Sequence, residues 1–121
     1  MYTIRVKGEF SSAHNLKDYK GKCEKLHGHN WKVEAEIGNN RLDQHGMIMD
    51  FRRAKDILNS VLDMLDHKYL NTMPFFKKHN PTSEIVAKFI YDEISKQVTG
   101  LTRITVWETD SSSASYFVSR Q

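Results

Sequence analysis

The chain has little that could cross-link it or anchor it in a membrane. It contains a single cysteine, Cys23, in 121 residues, so no disulfide can form within the chain. No apolar run approaches the roughly 20 residues that span a bilayer. Residues 1–6 alternate like a strand and lack the continuous apolar core of a signal peptide. We therefore expect a cytoplasmic protein whose lone thiol stays reduced and available for chemistry or metal binding.

The chain also lacks repeats, low-complexity tracts and linkers, and its charge is nearly balanced. Hydrophobic residues make up 39% and charged residues 27% of the sequence, which predicts one globular domain over residues 1–121. The formal net charge is +3, a mild basic bias that suits an anionic substrate or a solvated surface equally well. No basic stripe is interleaved with stacking aromatics, so we expect neither nucleic acid nor a membrane as partner.

Hydrophobic periodicity predicts four strands and two helices. The helices are marked by apolar residues at helical spacing, from Phe51 to Leu65 after a plausible Asp50 N-cap, and again after Pro81-Thr82-Ser83. Alternating residues predict strands over 2–7, 31–37, 102–108 and 116–118. The order ββααββ indicates an α+β domain with an antiparallel sheet and both helices on one face. Because little of the chain remains to cover the other face, we expect oligomerisation.

Three histidines form a candidate metal site. His27 and His29 point to the same side of an extended chain, and Gly28 between them lets the backbone bend closely around an ion. If the first two strands pair as antiparallel neighbours, His14 returns beside them. Three neutral imidazoles with an open fourth position are typical of catalytic zinc. Ordinary histidines would also explain an isolated His-x-His, and Cys23 as a fourth ligand would instead give a structural site.

Several short motifs occur together and in one order along the chain. They are Phe10-Ser11-Ser12-Ala13-His14, Cys23-Glu24-Lys25-Leu26-His27-Gly28-His29-Asn30, Leu65-Asp66-His67, Pro81-Thr82-Ser83-Glu84 and Trp107-Glu108-Thr109. In this order they resemble the 6-pyruvoyltetrahydropterin synthase family over nearly the whole chain. The three residues between Cys23 and His27 resemble its bacterial branch, the 6-carboxy-5,6,7,8-tetrahydropterin synthases of the queuosine pathway.

The resemblance implies a fold and an assembly. The family has the tunnelling fold, in which trimers close their sheets into a barrel, two trimers stack as a hexamer, and active sites lie between subunits. The resemblance also implies a set of site residues. They are His14, His27 and His29 as ligands of Zn²⁺, Cys23 as catalytic base with Asp66 and His67 as companions, Glu108 as pterin anchor and member of the catalytic relay, and Thr82, Ser83 and Glu84 as substrate contacts.

The implied reaction converts 7,8-dihydroneopterin triphosphate into 6-carboxytetrahydropterin, acetaldehyde and triphosphate. A lysine-rich loop could steer the triphosphate, together with a second basic group. These residues are Lys17, Lys20, Lys22 and Lys25 in the loop, and Lys77, Lys78 and His79 in the second group. A pyruvoyl-forming or folate-type relative remains an alternative, as does a non-catalytic zinc- or pterin-binding protein in which Cys23 ligates the metal.

Two local expectations follow from geometry alone. Asp66 and His67 are adjacent in sequence, and adjacent residues diverge on a regular helix or strand, so we expect no direct pair between them. Glu108 shares a strand face with Ile104 and Val106, so its carboxylate can point inward, where it needs a partner. A pterin would offer that partner, because its amino group and ring N–H form an edge of two donors. Without the other motifs, an edge residue paired with an Arg or Lys side chain would be the preferred interpretation.

Overall fold

The computed structural model describes residues 1–19 and 25–118. In these residues a five-stranded sheet with the order β3-β1-β2-β4-β5 packs against helices. The strands are β1 (Tyr2–His14), β2 (His27–Asn39), β3 (Lys68–Tyr69), β4 (Leu101–Thr109) and β5 (Ser112–Tyr116), and the helices are α1 (Phe51–Leu62), α2 (Pro74–Lys78) and α3 (Ser83–Ser95), with a 3₁₀ turn at Leu70–Thr72. No helix in this described part is long and apolar enough to cross a membrane.

The first two strands form a long antiparallel pair that carries the histidines at one end. Pairing runs without a break from Tyr2 opposite Asn39 to His14 opposite His27. The sequence predicted much shorter strands, because the polar segment after residue 7 does not resemble a strand. The alternation nevertheless continues into the core, since Phe10 and His14 are each 2% exposed. The extended pairing therefore delivers His14 directly to the start of β2.

The sheet is mixed, whereas the sequence predicted a wholly antiparallel one. The exception is β3, which pairs in parallel with β1 over two residues, Ser12 opposite Lys68 and Ala13 opposite Tyr69. This strand, the 3₁₀ turn and α2 fill the interval between the two long helices, where no element was predicted. The last strand was predicted over 116–118 but spans Ser112–Tyr116, because its serines pair with β4.

The core lies between one sheet face and the two long helices, as predicted. Asp50 caps α1 by accepting a hydrogen bond from the backbone N–H of Arg52, at 2.8 Å. That helix ends at Leu62, three residues earlier than predicted, although Leu65 stays fully buried in the following turn. The core is built from apolar residues of the sheet and the helices, including Val6, Phe10, Trp31, Val33, Leu58, Leu62, Phe76, Ile90, Ile104 and Val106.

The opposite sheet face carries a charge ladder, defined by three cross-strand pairs of β1 and β2. Arg5 lies opposite Glu36, Lys7 opposite Glu34, and Glu9 opposite Lys32. Nε of Arg5 lies 3.0 Å from Oε1 of Glu36. Because this face is charged and tolerates water, it does not by itself require a partner. The expectation of an oligomer therefore depends on the family resemblance more than on an uncovered apolar face.

Candidate metal centre

The three predicted ligands converge where β1 ends and β2 begins. His14 is directly opposite His27 in the strand pairing, and His29 lies on the same side two residues further along. Their ring centroids are 4.8 to 5.2 Å apart. Gly28 makes no bend here, because it pairs regularly with Ala13 and an added Cβ would meet no atom within 4 Å. The strand register, and not glycine flexibility, brings the imidazoles together.

Backbone carbonyls fix the tautomers of two of these histidines. Nδ1 of His14 lies 2.8 Å from the carbonyl oxygen of Pro81, and Nδ1 of His27 lies 2.8 Å from that of Lys25. A carbonyl only accepts hydrogen bonds, so each Nδ1 carries the proton and donates it. The Nε2 atom of each neutral ring then presents a lone pair, which is the arrangement of metal-binding histidines. The ring of His14 is also packed edge-on against Trp31, at 4.7 Å between centroids.

Glu108 lies among the histidines, a position that the sequence did not predict. From β4, its Oε1 atom lies 2.7 Å from Nε2 of His14 and 3.4 Å from Nε2 of His29. The four side chains offer ligand atoms that all lie within 4.8 Å of one another. The pairing of Lys32 with Trp107 places Glu108 at this end of the sheet. The sequence alone does not give this register between β2 and β4, so it could not place Glu108 beside the histidines.

The contact between Glu108 and His14 is favourable when a positive charge lies between the two atoms. Nε2 of His14 is buried and makes no hydrogen bond to the described residues, even though the carboxylate oxygen is so close. With the proton on Nδ1, two lone pairs face each other, which is unfavourable unless a cation or a second proton separates them. Three imidazole nitrogens and one carboxylate oxygen are a donor set that zinc accepts. These residues therefore fit a zinc ion.

Asp66 and His67 lie outside this group of four and contact β1. Oδ1 of Asp66 accepts a 2.8 Å hydrogen bond from the backbone N–H of Ser11, and the N–H of His67 donates to the carbonyl of Ser11. The prediction that the two would not pair is wrong, since Oδ2 of Asp66 lies 2.9 Å from Nδ1 of His67. The reason is the left-handed backbone of His67, with φ of 55°, which differs from a regular helix or strand.

The Asp66 carboxylate is held in its charged form. The backbone N–H of Ser11 lowers the pKa of Asp66 below its ordinary value, and the adjacent His67 lowers it further. The imidazole of His67 is 83% exposed. It lines an open cleft of about 460 Å³ together with Ser11, Gly28 and His29. A carboxylate that orients an accessible imidazole is suited to proton transfer.

The remaining predicted residues either lie at the start of α3 or fall outside the described residues. Thr82 is the N-cap of α3, because its hydroxyl oxygen accepts a hydrogen bond from the N–H of Ile85 at 3.2 Å. Ser83 and Glu84 form the first turn of that helix, directly after the Pro81 carbonyl that holds His14. Cys23 lies outside the described residues, as do Lys20 and Lys22 of the predicted phosphate loop.

Comparison with known proteins agrees with this geometry. A sequence model described as 6-pyruvoyl tetrahydropterin synthase matches residues 3–118. The chain belongs to this family. It is 36% identical over 126 residues to a 6-carboxy-5,6,7,8-tetrahydropterin synthase of Synechocystis, with 99% of this chain and 96% of that protein covered.

Two further relatives show the range within the family. A dihydroneopterin monophosphate aldolase of Pyrococcus furiosus is 32% identical over 108 residues, covering 87% of this chain and 88% of that protein. The solved structure of a Caenorhabditis elegans 6-pyruvoyl tetrahydropterin synthase superposes with a TM-score of 0.85 at 26% identity, covering 98% of this chain and 96% of that one. The fold is therefore the tunnelling fold that the motifs implied.

Proposed function

We propose that this chain is a zinc-dependent 6-carboxy-5,6,7,8-tetrahydropterin synthase, a lyase formed by one domain over residues 1–121. Its reaction would convert 7,8-dihydroneopterin triphosphate into 6-carboxytetrahydropterin, acetaldehyde and triphosphate, as a step of queuosine (7-deazaguanine) biosynthesis. The observation that carries the proposal is the convergence of His14, His27 and His29 beside Glu108, within a family whose Synechocystis relative bears this name.

The histidines supply the metal centre. His14 and His27 would bind zinc through Nε2, because the Nδ1 atom of each is engaged by a backbone carbonyl. His29, whose Nε2 also faces Glu108, would complete the three imidazoles. When bound, zinc would lower the pKa of the substrate hydroxyls that it coordinates and so assist their deprotonation.

Glu108 positions the substrate against this centre. Its carboxylate can accept both donors of the pterin edge, the amino group and the ring N–H, in a paired and charge-assisted contact. Because Oε1 of Glu108 lies only 2.7 Å from Nε2 of His14, a ring held there would present its side chain close to the metal ligands. Glu108 would thus bind the substrate and contribute to the catalytic relay.

Proton transfer is assigned to Cys23 and to the pair of Asp66 and His67. Cys23 would act as base, since a thiol close to cations ionises near neutral pH. The carboxylate of Asp66 is anchored by Ser11 and would orient the imidazole of His67 for the same purpose. Thr82, Ser83 and Glu84 would contact the substrate at the start of α3.

We assign the protein to the cytoplasm and to a homo-oligomer, a trimer or hexamer, with active sites between subunits. Asp66 and His67 support a shared site because they lie outside the group formed by His14, His27, His29 and Glu108 in one chain. The pair exposes its imidazole in an open cleft, where it could serve a neighbouring subunit.

The decisive experiment identifies the product. The purified protein, loaded with zinc, is incubated with 7,8-dihydroneopterin triphosphate, and the mixture is resolved by liquid chromatography and mass spectrometry. We expect 6-carboxytetrahydropterin and acetaldehyde, with no product after zinc is removed by a chelator. Formation of 6-pyruvoyltetrahydropterin would instead assign the pyruvoyl branch of the family.

A second candidate is the aldolase activity carried by the Pyrococcus furiosus relative. It is tested in parallel by offering dihydroneopterin monophosphate under the same conditions. Preferential turnover of the monophosphate would favour this folate-type alternative. Binding without turnover of either substrate, together with a sulfur ligand in the X-ray absorption spectrum of the bound zinc, would favour a non-catalytic protein in which Cys23 ligates the metal.

A further inference from the structure

Two asparagine side chains hold the segment that leaves the metal centre after His14. The amide of Asn71 accepts from the backbone N–H of Asn15 at 3.0 Å and donates to the carbonyl of the same residue at 2.8 Å. The amide of Asn80 does the same to Lys17, accepting at 2.8 Å and donating at 3.0 Å. Each asparagine thus satisfies both backbone groups of one residue.

This arrangement continues the strand contacts at the point where they stop. The pairing of β1 with β2 ends at His14, so the following residues no longer have β2 alongside. A side-chain amide has the donor and acceptor of a peptide group, and Asn15 and Lys17 are two residues apart, as are successive bonded residues along one edge of a strand. The hydroxyl of Tyr69 adds a 2.6 Å bond to the Asn15 side chain.

The chain around Asn80 also contains the hydrogen-bond partner of His14. Asn80 directly precedes Pro81, whose carbonyl accepts the Nδ1 proton of His14 at 2.8 Å. The carbonyl of Asn80 accepts in turn from the N–H of Thr82, the N-cap of α3. Asn80 therefore ties the segment after His14 to the carbonyl that sets the tautomer of His14. Asn71, which is 3% exposed, fixes the start of that segment from the core.

We propose that Asn71 and Asn80 are positioning residues of the metal centre. They hold the segment after His14 and the Pro81 carbonyl in one relative position, so that Nε2 of His14 points towards His27 and His29. This inference rests on the proposed zinc site and deepens it. It assigns a role in metal binding to two residues that are not themselves ligands.

The test uses an exposed residue, so that a loss of folding does not obscure the result. Asn80→Ala removes both bonds to Lys17 from a surface position. The matched control is Asn39→Ala, which removes an exposed amide that bonds the backbone of Arg41 in the turn after β2. Zinc affinity is measured by competition with a chromophoric chelator, and the cobalt-substituted proteins are compared by visible absorption. Thermal melting confirms that all three proteins are folded.

We expect Asn80→Ala to bind zinc about three- to tenfold more weakly than the unsubstituted protein. Loss of a direct partner of a ligand costs roughly 10- to 100-fold, and Asn80 acts one residue further out. The cobalt bands should shift in Asn80→Ala and stay unchanged in Asn39→Ala. Equal affinity and equal spectra in the two variants would overturn this inference while leaving the zinc site intact. Failure of the unsubstituted protein to bind zinc would overturn the proposed centre and this inference together.

Discussion

Replacement of Glu108 by Gln separates the two roles that its position allows. The change keeps the size of the side chain and one acceptor oxygen, but it removes the charge and turns the other acceptor into a donor. That donor would face the donor edge of the pterin. Loss of a charge-assisted contact costs about 2–5 kcal/mol in desolvated sites. The Glu108 side chain is 30% exposed, so we expect the lower end, about 2 kcal/mol, or a roughly 30-fold weaker dissociation constant.

The assay is calorimetric titration with a non-reactive pterin, combined with measurement of bound zinc. Glu93→Gln on α3 is the matched control, because its side chain is 24% exposed and forms an ion pair with the exposed Lys96. Exposed pairs contribute about 0–1 kcal/mol, so this variant should bind the pterin normally. Unchanged pterin affinity in Glu108→Gln would remove Glu108 from the anchoring role. Loss of zinc in that variant would show that the carboxylate acts as the fourth metal ligand instead.

Four further predictions address the site and its surroundings. The double substitution of His27 and His29 by Ala should abolish the content of about one zinc per chain, measured by plasma mass spectrometry; full zinc content would contradict the assignment. Cys23→Ala should keep zinc and fold but lose turnover, and loss of zinc would instead indicate a sulfur ligand. The native state lowers the pKa of Asp66, so its charged carboxylate contributes stability above about pH 4, and this contribution is lost as the pH falls further. The free energy of unfolding of Asp66→Asn should therefore depend less steeply on pH in that acid range. An unchanged pH dependence would refute this. Light scattering should show a trimer or hexamer, and an active monomer would contradict the shared site.

The fold was largely predictable because its core residues repeat with the periods of strands and helices. Trp31, Val33 and the apolar stripe of α1 are buried as their spacing indicates. The end of β1 was not predictable, because Ser12 is stabilised in the core by a partner that the sequence does not identify. Its hydroxyl bonds the carbonyl of Leu65 from the turn after α1. Only tertiary contact makes this polar segment a strand.

The candidate site was likewise predictable from the sequence only in part. The histidines could be found because His27 and His29 share a face and the predicted strand pairing returns His14 to them. The place of Glu108 depends on the pairing of β2 with β4, and that of Asp66 and His67 depends on one left-handed residue and a contact with β1. Such long-range features are set by the folded chain as a whole, so motifs could name these residues without placing them.

The charge ladder on the outer sheet face has a consequence for the metal centre on the other face. A two-residue slip of β1 against β2 would keep every side chain on its proper face, so burial alone cannot prevent it. One such slip would set Lys7 opposite Lys32, and the reverse slip would set Glu9 opposite Glu34; like charges directly opposite each other are unfavourable. Either slip would also carry His14 about 7 Å from its place opposite His27. The surface charges therefore favour the native register over both slips. They oppose in particular the slip that sets Lys7 opposite Lys32, which would carry His14 past the start of β2 to a place opposite Lys25 and away from His29.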